Sequence, residues 1–190
     1  VMKVAKEKDK IALINGTASA TITNKECNDV TIHYTYDTYA LANGTASALT
    51  KQGGKTWFFL TADYAFGYQL ENDTTKIVKD NGGGVLGAVK HPLNSADFSS
   101  FLLQAQASKA KVVGLANAGL DTTNSIKQAA DFGIMKGGQK LAGLLTTLAE
   151  VHGLGLDSAQ GLVVTEGYYW DLDDASRAFG TRFMARTGRM

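Results

Sequence analysis

The stretch Gly53-Gly54-Lys55-Thr56 has the ending of a phosphate-binding loop, where backbone N–H groups and a lysine cradle phosphates. The earlier glycine such a loop needs would stand at position 49, which is Leu49, and the next apolar run follows the motif instead of preceding it. Phosphate-loop chemistry is therefore rejected. Gly82-Gly83-Gly84 closes a helical pattern and does not open one, so it is no dinucleotide fingerprint. Neither Ser19 nor Ser47 sits in a Gly-x-Ser-x-Gly elbow. His33, His91 and His152 are 58 and 61 residues apart, with no carboxylate at ligand spacing. Solvated loop positions are expected for all three. Asp171, Asp173 and Asp174 precede a helical pattern and suit its positive N-terminus better than a calcium ion. Cys27 is the single cysteine, so an internal disulfide and a thiolate metal cluster are both excluded, and a buried or idle thiol is expected. No enzyme signature survives, and neither cofactor nor metal is implied.

Other chemistry-bearing residues follow the short apolar runs. Asn15-Gly16-Thr17-Ala18-Ser19 comes after Ile14, and Thr61-Ala62-Asp63-Tyr64-Ala65-Phe66-Gly67 after Leu60. Asn117-Ala118-Gly119 follows Ala116, with Asp121 close behind, and Thr146-Thr147 follows Leu145. Thr165-Glu166-Gly167-Tyr168-Tyr169-Trp170 follows Val164. Small residues, hydroxyls, an amide and aromatics suit a molecule with a polar head and an apolar body. Polar, turn-forming strand ends also occur in any α/β protein.

The elements that must position these residues are legible in the apolar rhythm. Runs begin at Ile11, Trp57, Val85, Val112, Leu141 and Leu162; from Trp57 onward the starts are 28, 27, 29 and 21 residues apart. A strand with its crossover helix takes about 30 residues, so the spacing predicts successive βαβ units and a parallel sheet. Continuous apolar runs predict strands buried on both faces, including Val85 to Val89. Val30 to Asp37 reads as a strand or extended connector. Helices are expected over Tyr39–Thr50, Gln69–Asn81, Ser125–Phe132 stopped by Gly133, and Ala175–Arg189. Asp97 is the expected N-cap of a helix beginning at Phe98. Thr147 to Leu156 reads as a short helix broken by Gly153 and Gly155, and the first eight residues as the end of an amphipathic helix.

The chain has 190 residues, 44% of them hydrophobic, which excludes wholesale disorder. Its net charge of +1 argues against a nucleic-acid partner. No apolar run is long enough for a membrane-spanning helix. The ragged ends read as those of an internal piece of a longer protein.

Six segments taken together carry a resemblance. They are Asn15-Gly-Thr-Ala-Ser19, His33 to Asn43, Trp57 to Gly67, His91 to Gln106, Gly114 to Gly119 and Tyr168-Tyr-Trp-Asp171. As a set the chain resembles the periplasmic solute-binding proteins of ABC importers, in the branched-chain amino-acid-binding (type I) group. That resemblance implies a Rossmann-like, parallel-sheet α/β lobe with part of a second lobe. Residues 1–36 would belong to the N-terminal lobe, 37–170 would form a nearly complete C-terminal ligand-binding lobe, and 171–190 would be a helix returning to the first. It implies an exported, periplasmic receptor that captures a small molecule by hinge closure and docks on an ABC permease in the membrane.

The resemblance also implies site residues. The ligand carboxylate would meet N–H groups and a hydroxyl at Thr17, Ala18 and Ser19, an anion site at a helix start. Tyr64 or Phe66 would cover the ligand. Asn117, with its neighbour Ala118, and Asp121 would address its far end. In amino-acid-binding members a glutamate holds the ammonium at a position that here is Leu145 or Thr146. A buried ammonium without a counter-charge costs several kcal/mol. The implied ligand is therefore a small organic acid, with aromatic acids among the candidates. An amino-acid- or amide-binding member is the alternative, as is a cytoplasmic ligand-sensing regulator of the same fold.

Overall fold

A computed structural model describes residues 1–189. Two parallel sheets organise them. The smaller pairs β1 (Ala12–Ile14) with β2 (Thr31–His33). The larger has five strands: β3 (Thr56–Ala62), β4 (Gly84–His91), β5 (Val112–Ala116), β6 (Lys140–Gly143) and β7 (Leu162–Val164). Their spatial order is β4-β3-β5-β6-β7, with every pairing parallel. The predicted βα rhythm is thus the fold.

Helices cover both faces of the larger sheet. α2 (Thr38–Lys51) and α3 (Ala65–Asp80) lie on one face, where Leu41, Leu49, Leu70 and Val78 pack against Trp57 and Phe59. α4 (Ser99–Ala107) and α5 (Leu120–Asp131) lie on the other, where Phe98, Leu102 and Ile126 pack against Leu60 and Val113. Three-layer burial explains why β5 is buried at every position. β4 does not follow that expectation: as the edge strand it alternates, leaving Leu86 and Lys90 exposed.

The remaining helices are α1 (Met2–Glu7), α6 (Leu148–Leu154), α7 (Leu156–Ala159) and α8 (Asp174–Thr187). The helix expected over Ala175–Arg189 forms as α8, and Met190 lies outside the described residues. Several boundaries move. α3 begins at Ala65 and α5 at Leu120, so Phe66 and Asp121 stand in first turns and not in loops. The reason is that β3 and β5 feed their helices through very short connections. β6 stops at Gly143, so Leu145 lies beyond the strand. Gly153 continues α6, whereas Gly155, at φ +82°, separates it from α7. Phe98 is the N-cap of α4, yet Asp97 Oδ1 still accepts from Ser99 N at 2.8 Å. Cys27 is exposed. Among the described residues no helix is long and apolar enough to cross a membrane.

Candidate functional site

The carboxyl end of the larger sheet collects most of the expected residues. Tyr64 is the N-cap of α3, held extended, and its N–H donates to Ala62 O. Phe66 follows in the first turn and packs on the core between the sheet and α2/α3. The Tyr64 and Phe66 rings are 5.8 Å apart at 44°. Both are half-buried. Burial, and next the charge of Asp121, push the Tyr64 phenol above its ordinary value. The turn is tight because Gly67 has no side chain: a Cβ there would lie 2.2 Å from Ala62 O.

Asn117 and Asp121 sit beside this corner with their polar atoms occupied. Asn117 is fully buried; its Oδ1 accepts from Thr122, and its Nδ2 contacts His91 Nε2 and Ser125 Oγ. The two Asp121 carboxylate oxygens accept from Asn94 N at 3.1 Å and Ser95 N at 2.9 Å. His91 is correspondingly not solvated but buried, wedged against Phe98 at 4.9 Å between ring centres. Ala118 is half-buried next to Asn117.

Thr17, Ala18 and Ser19 are less like an anion site than expected. Ser19 caps a 3-10 turn of three residues, Ala20–Ile22, and its oxygen accepts from Thr21 N. So short a turn carries little dipole. Ala18 is buried in the same core that Phe66 packs against, and its carbonyl accepts from Thr38 N at the start of α2. Thr17 and Ser19 line a hollow of about 420 Å³ that Met2 of α1 also borders.

Beyond β6, Leu145 packs on the core and Thr146 is buried with its hydroxyl unpartnered. Glu166, just after β7, accepts from Leu148 N at the start of α6. Glu150 closes a capping box with Thr147 at the same helix start. Burial raises the Tyr36 phenol, and the charges of Glu166 and then Glu150 raise it further.

A cavity of about 380 Å³ opens between α6, the end of β7 and α8. Its walls include His152, Glu166, Tyr168, Trp170, Phe179 and Phe183, and none of the ten expected site residues. Glu166, Tyr168 and Trp170 are among the strand-end residues that the sequence singles out; Phe179 and Phe183 carry only the signal of an apolar helix face. Among the described residues no group of three or more His, Cys, Asp or Glu side chains is placed to hold a metal.

Comparison with known proteins agrees with a binding fold. A family described as periplasmic binding protein matches residues 1–190. No curated protein matches. A periplasmic binding protein from Burkholderia mallei is similar at 57% identity and a TM-score of 0.90, over 100% of this chain and 50% of its own. A branched-chain amino-acid ABC-transporter periplasmic ligand-binding protein from Burkholderia xenovorans is 34% identical with a TM-score of 0.89, covering 100% and 50%. A solute-binding protein from R. palustris, solved with 4-hydroxybenzoate, shares the fold at 24% identity and a TM-score of 0.87, covering 100% and 52%. The chain thus spans about half the length of these solved structures.

Proposed function

The chain belongs to the periplasmic binding protein family, in the branched-chain amino-acid, type I group of ABC-transporter proteins, and from that membership we propose that it forms most of one lobe of an extracytoplasmic solute receptor. In this reading residues 37–170 are the ligand-binding lobe, and 1–36 with 171–190 belong to its partner lobe. The separation of β1 and β2 from the five-stranded sheet supports that division. The receptor does no covalent chemistry. A solute bridging the lobes shifts an open–closed equilibrium by binding the closed form more tightly, and the closed form presents itself to a membrane permease.

The proposed solute is a small organic acid with an apolar or aromatic body. The observation that carries this is the half-buried Tyr64–Phe66 pair at the end of interior strand β3. Its two mutually tilted rings offer aromatic surface of the kind that binding pockets use. Thr17, Ala18 and Ser19 remain the proposed carboxylate contacts. Asn117, Ala118 and Asp121 serve this site by shaping the β5 end. A second reading, an α-amino-acid ligand, is favoured by Glu166. Its half-buried carboxylate stands one strand from Leu145 and Thr146 and could neutralise an ammonium.

A thermal-shift screen of the full-length protein separates the two. Stabilisation by benzoate or an aliphatic acid, with none by leucine or valine, is the expected result. The reverse pattern sinks the organic-acid reading and assigns the ammonium to Glu166, which Glu166→Gln then tests by abolishing the leucine shift.

A further inference from the structure

The corner that carries Tyr64 and Phe66 is gripped from outside by residues that touch no proposed solute. Lys90 and Thr61 face each other in register on β4 and β3. Both reach the same Glu71 oxygen on α3: Thr61 Oγ1 donates to Oε2, and Lys90 Nζ makes an ion pair with it. Glu71 is mostly buried, so this pair is screened less than a surface bridge. One turn earlier on α3, the Tyr68 ring lies 4.9 Å beneath Lys90 Nζ. The Tyr68 hydroxyl donates to the Asp63 carboxylate, in the two-residue connection between β3 and α3. The Asp63 N–H in turn donates to His91 O at the end of β4, at 2.9 Å. The connection is thus tied by its backbone to the edge strand and by its side chain to the helix.

We propose that Lys90, Glu71 and Tyr68 form a positioning clamp. It ties edge strand β4 to the first two turns of α3 and holds the Asp63–Tyr64 corner in the geometry that receives the solute. The geometry favours this over a purely stabilising role. Every contact converges on the 61–71 segment, while the centre of α3 is already held by Leu70, Thr74 and Ile77 in the core. A preorganised aromatic pair binds without the cost of ordering it, so loosening the clamp acts on the dissociation rate. The inference rests on the reading of Tyr64 and Phe66 as solute contacts.

The test uses three variants of the full-length protein. Tyr68→Phe removes only the hydroxyl bond to Asp63, Lys90→Met removes the charge while keeping the stem, and Tyr64→Ala removes the proposed contact. Two readouts are taken: amide hydrogen exchange, and the binding kinetics of benzoate and of L-leucine. The clamp predicts that the Asp63 and Tyr64 amides exchange roughly tenfold faster in Tyr68→Phe and in Lys90→Met, while the Val113 and Leu115 amides of β5 are unchanged. It also predicts roughly tenfold faster dissociation of whichever probe binds, with association within about twofold. Unchanged corner amides in both variants overturn the clamp. Faster corner amides with unchanged dissociation overturn its role in binding. Unchanged binding in Tyr64→Ala, or a parent protein that binds neither probe, defeats the site reading instead, and the exchange data then judge the clamp by itself.

Discussion

Gly67 shows how little freedom single positions at the sheet end retain. An added methyl would meet Ala62 O at 2.2 Å and Ala116 O at 3.1 Å, both backbone atoms that cannot swing aside. Gly67→Ala is therefore expected to destabilise the protein by about 3 kcal/mol, read as a lower urea midpoint at unchanged slope. Asp121 is constrained in a different way. Its carboxylate satisfies two N–H groups of the turn after β4. Asp121→Ala removes the acceptor of both donors, which water can partly replace, and should cost about 1.5 kcal/mol by the same measurement; a loss below about 0.5 kcal/mol would return Asp121 to the solute. The phenols of Tyr36, Tyr64 and Tyr68 supply a pH test. All three are held above their ordinary value, the first two mainly by burial and Tyr68 by its bond to Asp63. A group raised on folding stabilises fully below its unfolded value near 10 and loses that contribution as pH rises through the folded value. Ultraviolet titration should show Tyr36, Tyr64 and Tyr68 ionising late, and Tyr68→Phe should remove one of these late transitions.

At the scale of elements, helix starts decide which strand ends communicate. The capping box of Thr147 and Glu150 fixes α6, and Glu166 reaches across from β7 to the same turn. Thr147→Ala is expected to cost about 1 kcal/mol and to quicken amide exchange in α6 while leaving α5 unaffected. Asp97, just before the N-cap of α4, and Asp173, the N-cap of α8, have carboxylates held below their ordinary value by hydrogen bonds from Ser99 and Ser176. A lowered carboxylate stabilises above its unfolded value and loses that contribution as pH falls through the folded one. Helix content in α4 and α8 should therefore fray first on acidification below about pH 4, and Asp173→Asn should flatten that acid response for α8. The alternating exposure of β4 has its own logic. Lys90 on the edge blunts strand addition by another chain, and the same side chain closes the clamp over Tyr68.

For the molecule as a whole, the proposal of a hinged receptor predicts a smaller radius of gyration on adding the solute found by thermal shift. Small-angle scattering of the full-length protein measures this, and an unchanged radius at saturation would count against closure. Much of the architecture was legible beforehand. Apolar runs about 28 residues apart, helical periodicity between them and glycines at helix ends are local consequences of backbone geometry and burial, and they sufficed for a parallel α/β lobe. The Tyr64–Phe66 corner was legible too, because it follows its strand directly. The burial of His91, the occupation of Asn117 and Asp121, the arrival of Glu166 beside α6 and the Lys90–Glu71–Tyr68 clamp were not. Each depends on strand order β4-β3-β5-β6-β7, which sets side by side residues far apart in the chain, as with Thr45 and Thr165, bonded across 120 positions. The sequence by itself determined the elements, because each is favoured by its own run of residues. Only the tertiary structure decided which polar groups are spent on one another and which remain for a solute, because a hydrogen-bond partner is chosen by proximity in space.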